Sequence, residues 1–408
     1  MIDRIRCWRS SRWVLQMLGC ILLLGAAIPI VQEMTVPAPA PEYIPAHLHP
    51  SLHADIPSGE GEGSAPLYVE NLIDPAGQKS VHASTLAPLG DGGVRAWWYG
   101  GTREGARDVA IYSARFDPAS RSWGEPQVIM TPRKLAMQLQ RPIRKLGNPT
   151  AVRDARGRIH LFFVSVSVGG WATSAINVMA SEDDGETFGA ARRLVTSPFF
   201  NLSTLVRGRP ALHADLALAL PAYHQFLGKF AEIVQIADDG QILSKNRLSW
   251  GREALQPELI PLAPKDALVF MRYAGQAPRR MLQSRTLDGG RTFSRPVRTT
   301  LPNADNSVAA GLLPDGPVFL VFNDAEAGRH VLALAVGSGE ASDDWVRVHD
   351  FENAQDDPHR EFSYPAILQM PDGHIHLAYT NDRKAIKHVL FNDVWIRQTL
   401  DRAGWTGQ

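Results

Sequence analysis

Residues 181–188 read SEDDGETF and residues 286–293 read TLDGGRTF. Both follow one pattern, hydroxyl-x-Asp-x-Gly-x-Thr-Phe, in a chain with little other obvious self-similarity. The pattern is that of a tight turn: the Asp side chain caps backbone N–H groups, the Gly supplies a positive φ, and the closing aromatic packs between neighbouring sheets. Degenerate copies start at YSARFDPASRSW (112), IADDGQIL (236) and VGSGEASDDW (336), and a last aromatic-ended strand lies near HVLFNDVW.

A second series interleaves with the first. In it a polar residue precedes Pro or a small residue and then an apolar strand: VHASTL (81), GNPTAV (147), GRPAL (208), QPELI (256), DNSVAAGL (305) and SYPAIL (363). Each series has six members, spaced by roughly 50 to 65 residues. Between them run short β-branched and aromatic stretches such as RIHLFFVSVS, ALVFMRYA, PVFLVFND and HIHLAYTN, and long helical periods are absent. The chain is therefore expected to be all-β, a six-bladed propeller of four-stranded antiparallel blades over residues 67–400.

Composition narrows the function. Of 408 residues 44% are hydrophobic, and Lys+Arg and Asp+Glu both number 42, so no net field favours nucleic acid. Cys7 and Cys20 are the only cysteines, which leaves the body without thiol, disulfide or Cys-based metal chemistry. Phosphate loop, nucleophile elbow and zinc helix are all missing, and no cofactor or metal is expected.

Arg4, Arg6, Arg9 and Arg12 precede an uncharged apolar run from Trp13 to Val31. Residues 1–31 thus read as a signal peptide or, preferably, an uncleaved signal anchor with the propeller on the periplasmic side of the inner membrane. Residues 32–66, rich in Pro, Ala, His and Gly, read as a linker, and His47, His49 and His53 within it as solvated rather than metal-binding.

In a propeller the innermost strand of every blade begins at one mouth of the central channel, so the starts of the second series should converge there. These are His82, Asn148, Arg209, Glu258, Asp305 with Asn306, and Tyr364. The loop GGTREGARD adds Arg103, Glu104, Arg107 and Asp108, and Arg272 and Arg383 follow apolar strands of the fourth and sixth blades.

The two turns resemble the Asp boxes of the sialidase superfamily, or BNR repeats, and the wider text, in particular HASTL, WWYGGTREGARDVAIYSARF, GNPTAV, SYPAILQ and HIHLAYTNDRKAIKHV, resembles its six-bladed propellers from about residue 67 to 396. The resemblance implies an exo-glycosidase acting on a terminal acidic sugar. A Tyr nucleophile activated by a Glu avoids repulsion from the substrate carboxylate, arginines grip that carboxylate, and an acid on a loop protonates the leaving oxygen. Carried onto this chain, Tyr364 is the nucleophile, Glu258 its base and Asp108, or Glu104 beside it, the acid. Arg272 and Arg383 bind substrate, Arg103 or Arg209 supplies a third cation, and His82, Asn148 and Asn306 line the site. The family's first-blade Arg-Ile-Pro element is replaced here by VHASTL, which puts sialic acid itself in question. Two alternatives stand beside the glycosidase: a non-catalytic carbohydrate-binding propeller for polysaccharide assembly or export, and a polysaccharide lyase in which a His82–Tyr364 pair abstracts a C5 proton.

Overall fold

Trp97 and Trp98 are both fully buried, yet they point into different cores. Successive strand side chains face opposite sides of a sheet, so one indole packs on the following blade and the other on the preceding one. Phe162 and Phe163 divide in the same way. Strands covered on both faces explain the unbroken apolar runs of the sequence, and the apolar layers between adjacent blades form the core. Each large side chain so buried contributes about 1.5–3 kcal/mol.

The computed structural model describes Met17 and residues 41–46, 48, 65–196, 201, 203–226, 228–314 and 316–404. Apart from Met17, the expected anchor over residues 1–31 lies outside the described residues, as do His47, His49 and His53. Among the described residues no helix is long and apolar enough to cross a membrane.

Six antiparallel sheets make six blades. Their innermost strands are Ser80–Pro88, Lys145–Arg153, the broken pair Leu205–Val206 and Ala211–Leu212, Ala254–Pro261, Ala309–Leu312 and Phe362–Gln369. The ring closes with a strand from the start of the domain: Tyr68–Ile73 takes the outer place of the last blade, with Tyr68 opposite Phe391 and Ile73 opposite Ile386. Helix Asp393–Arg402 follows, capped by Asn392, whose side chain accepts from the Trp395 N–H.

The two Asp boxes share one bonding pattern. Asp183 accepts from Thr187 N at 2.9 Å and from the Ser181 hydroxyl at 2.7 Å, while Gly185, at φ 81°, donates to the Ser181 oxygen at 2.8 Å. Asp288 repeats this with Thr292 N at 2.9 Å and the Thr286 hydroxyl at 2.8 Å, and Gly290 lies at φ 87°. Both join the third and outer strands of their blades. Buried Arg95 of blade 1 donates to Asp184 O at 2.8 Å and pairs with Glu186, so the first box also links two blades. These aspartates hold turns.

Part of the expected linker is folded against the propeller. Tyr43 is 2% exposed and stacks on His213 at 4.4 Å. Backbone bonds from Tyr43 N to Pro264 O (2.6 Å), Ile44 N to Leu212 O (2.9 Å) and Ala46 N to Pro261 O (3.1 Å) lay this strap across blades 3 and 4. Those contacts lie at the far ends of the inner strands, opposite the ends where the second sequence series begins.

Candidate active site

Four inner strands skip two residues in their pairing, between His82 and Thr85, Gly147 and Thr150, Leu255 and Glu258, and Ser363 and Ala366. In each skip one residue takes the left-handed conformation: Ala83 (φ 53°), Asn148 (43°), Gln256 (46°) and Tyr364 (56°), with Asp305 (55°) ahead of the blade 5 strand. Non-glycine residues rarely sit there, and bulges at a rim re-aim side chains. Here they turn these positions out of the pleat and towards the channel. In blade 3 the break in the inner strand carries Arg207.

Tyr364 is the centre of the arrangement. It is partly exposed. Its hydroxyl lies 3.3 Å from Arg272 Nη1 and 3.4 Å from Gln256 Nε2. The Gln256 amide also donates to Tyr223 Oη at 3.3 Å and accepts from Arg272 Nη1 at 3.0 Å, and Asn148 Nδ2 donates to Tyr223 Oη at 3.1 Å. Arg272 Nε donates to Asp305 Oδ1 at 2.5 Å. The Arg329 guanidinium stands 5.4 Å from the Tyr364 ring centre, held by Glu361 Oε1 at 2.9 Å. Glu361 in turn accepts from Arg383 Nε at 2.8 Å, and Arg383 pairs with Glu104.

Arg207 lies beneath. Buried at 4% exposure, it donates to the carbonyls of Tyr364 (2.6 Å), Pro365 (2.8 Å) and Ser84 (3.2 Å), with its guanidinium 5.3 Å from the Tyr364 ring centre. His82 packs edge-on against Tyr364, ring centres 4.5 Å apart.

Charge tunes these groups. Burial pushes the Tyr364 phenol up, but the Arg272 and Arg329 guanidiniums and the Gln256 hydrogen bond outweigh it and bring the phenol below its ordinary range. Burial, then the arginines Arg383, Arg329 and Arg207, hold His82 well below the usual histidine value, so its imidazole is neutral. Burial raises the Tyr223 phenol, which stays protonated.

The chain matches the BNR repeat-like domain family over residues 92–377, more than half of its length. It belongs to that family. No curated protein matches it in sequence. Among solved structures it is similar to a Hadza microbial sialidase, with TM-score 0.63 at 16% identity over 77% of this chain and 66% of that one. It is also similar to the NanB sialidase of Streptococcus pneumoniae (0.63, 14%, 79% and 70%) and to a Dyadobacter fermentans protein of unknown function (0.63, 14%, 81% and 100%). At such identities these likenesses show the propeller fold and leave activity to the site.

The site expected from sequence is only partly assembled. Tyr364, His82, Arg272 and Asn148 meet at the mouth, and Arg383 and Glu104 join them through Glu361. The groups hydrogen-bonded to the Tyr364 hydroxyl are Arg272 and Gln256 rather than Glu258. Glu258 and Arg209, two residues past Gln256 and Arg207, line a cavity with Thr85, Arg207 and Ile367, and another with Ile44, Ala46 and Leu48 of the strap. There Glu258 accepts from Arg209 N at 3.3 Å, and burial pushes its carboxyl up to about 7 against the pull of Arg207 and Arg209. The side chain beside the Tyr364 hydroxyl, where the resemblance implies a carboxylate, is Gln256. Asn306 is fully buried and donates to Asn323 within blade 5. Asp108 and Arg103 are exposed on the 102–108 turn, and the Asp108 carboxylate, capped by the Thr102 hydroxyl and N–H, is held below its usual range.

Arg207, Gln256, Arg329 and Glu361 join the site without being singled out by the sequence pattern. Alignment on the residue directly before Pro, as in Asn148-Pro149, Gln256-Pro257 and Tyr364-Pro365, selects Gln256 rather than Glu258. Arg207 stands just ahead of the motif GRPAL, and Arg329 lies two residues ahead of the strand Val331–Gly337, where nothing in the local pattern marks them.

Proposed function

We propose that this propeller is a sialidase-like carbohydrate-active enzyme that holds a terminal acidic sugar at the Tyr364 mouth and reacts through Tyr364. The observation that carries the reading is a partly exposed tyrosine whose phenol is lowered by Arg272 and Arg329 at the channel mouth. The two guanidiniums form a cradle for a carboxylate and at the same time favour a phenolate beside it as nucleophile. In hydrolysis Tyr364 Oη bonds to the anomeric carbon as the C–O bond to the aglycone breaks. The leaving oxygen takes a proton from Glu104 on the 102–108 turn rather than from Asp108, whose carboxylate is held ionised by Thr102. Water then releases the sugar from the tyrosine and returns a proton to Glu104.

A second reading has its own observation. Gln256 cannot act as the base that a Tyr nucleophile takes in sialidases, whereas neutral His82 lies against Tyr364. In a lyase the Tyr364 phenolate takes H5 of a uronate whose carboxylate the arginines neutralise. The C4–O bond breaks as the C4=C5 double bond forms, and the proton passes from Tyr364 to the leaving oxygen. The reading that both share extends to location: the basic flank before residue 13 supports an anchored propeller on the periplasmic side, which fractionation of tagged cells tests.

The deciding experiment incubates the full-length chain and Tyr364→Phe with aryl glycosides of sialic acids, related nine-carbon acids and uronic acids, and with polyuronates. Aglycone release that falls at least about a hundredfold in the variant supports hydrolysis. A new ultraviolet-absorbing product with polyuronate supports elimination. Failure of every substrate, with both proteins folded, turns the assignment to the binding propeller.

A further inference from the structure

A groove of about 690 Å³ runs between the outer strands of blades 3 and 4, where the chain crosses from Ile242–Arg247 to Ala254–Pro261. Its walls carry Arg247, Trp250, Glu253, Phe293, Arg295 and Arg298. Trp250 is 84% exposed, an unusual state for an indole. The Arg247 guanidinium lies 4.5 Å from the Trp250 ring centre and 3.6 Å from that of Phe230, and its Nε donates to Ser249 O at 2.7 Å. Arg298 is likewise fixed, donating to Tyr273 Oη at 2.6 Å and lying 4.8 Å from that ring centre. Aromatic faces therefore line the groove beside three arginines, with Glu253 as the one opposing carboxylate among the lining residues. Apolar sugar faces stack on indoles, and guanidiniums bind carboxylates through forked donors.

The groove adjoins the mouth through a single strand. Arg272 and Tyr273 are consecutive on Ala267–Tyr273, so they point to opposite faces: Arg272 to Tyr364, Tyr273 to Arg298. Ala254, on the groove wall, is two residues from Gln256. We propose that this groove is a second subsite, which holds the neighbouring residues of an acidic polysaccharide whose end residue sits at Tyr364. The inference rests on the reading of the mouth as an acidic-sugar site and adds that the substrate is a polymer, gripped by Trp250 and the Arg247, Arg295 and Arg298 cluster.

Calorimetry on the full-length chain in mild detergent tests it. The probes are galacturonate and α2,8-linked sialic acid, each as monosaccharide, trimer and hexamer, with maltohexaose and polyphosphate as controls. The expected result is an affinity gain of at least about tenfold from monosaccharide to hexamer in one acidic series. Trp250→Ala and Arg295→Ala each remove most of that gain and leave monosaccharide binding and the thermal midpoint unchanged, while Arg272→Ala weakens monosaccharide binding and leaves the groove's contribution in place. The proposal falls if neither acidic series gains with length, if maltohexaose gains equally, if polyphosphate binds as well as the hexamer and ignores Trp250→Ala, or if the gain survives both groove variants. Hexamer binding that needs Trp250 but ignores Arg272→Ala would uphold the groove and sink the reading of the mouth.

Discussion

The two ends of the channel are built from the same strands, and they differ in one respect that decides their chemistry. At the upper mouth the inner strands turn Asn148, Gln256, Asp305 and Tyr364 out of the pleat through left-handed residues, and the side chains bond to one another around a partly exposed phenol. Two residues further along, Glu258 is buried and Arg209 half-buried, and Ile44, Ala46 and Leu48 of the strap line the cavity with them. A carboxylate and an arginine exist at both levels. Only the upper one has them around the Tyr364 hydroxyl, so a two-residue shift in a bulge outranks residue type in assigning a role.

That contrast can be broken or sharpened by substitution. The largest effect is expected from Tyr364→Phe, which removes the oxygen proposed to react and should lower turnover of an acidic-sugar substrate at least about a hundredfold with the thermal midpoint nearly unchanged. Steady-state kinetics on whichever acidic sugar the wild type turns over checks it, and a variant that retains activity would move the chemistry away from the mouth.

Next comes the strap. Tyr43→Ala leaves a cavity against His213 and should destabilise the protein by about 2–4 kcal/mol in denaturant unfolding, while kcat at the distant mouth stays within about twofold. A large loss of kcat would show the two ends to be coupled.

Arg329→Gln should cost about tenfold in kcat/KM and move the pH profile. Activity that needs the Tyr364 phenolate rises with pH through the phenol's pKa, which Arg272 and Arg329 hold below the ordinary tyrosine value. Loss of one cation raises that pKa, so the rising limb shifts to higher pH; an unshifted limb would deny the phenolate.

The smallest change in activity is expected from Glu258→Gln, within about threefold, because the phenol bonds to Gln256 and Arg272 rather than to Glu258. Its effect on stability has a defined sign. The folded-state pKa, about 7, lies above the ordinary 4.5, so the unfolded chain releases this proton first and the wild type loses stability relative to the variant as pH rises from about 4.5 through about 7. The difference between the two proteins is the quantity to measure, since buried His82, His376 and His388, with lowered values, change stability in the opposite direction below pH 6.5.

The Asp boxes show how far local pattern reaches. Asp183 with Thr187 and Asp288 with Thr292 bond within five residues, so their role is legible in the sequence alone. The positions proposed as catalytic are less so. Tyr364 and Arg272 sit near strand starts or ends, which the repeat pattern marks. Chemical type favours Glu258 over Gln256 as partner of the tyrosine, yet both lie on one strand and only the bulge decides which of them meets the phenol.

What the sequence by itself determined is therefore the repeat: turn chemistry, strand alternation and the number of blades, all of them set by contacts between near neighbours in the chain. What only the tertiary structure decided is the company each polar residue keeps. Gln256 meets Tyr364 across 108 positions, Arg207 reaches Tyr364 O across 157, and Tyr68–Ile73 closes the ring against Ala385–Asn392. Such pairings follow from ring closure and from backbone turned left-handed at the rim, and neither leaves a mark at the spacing of a local motif.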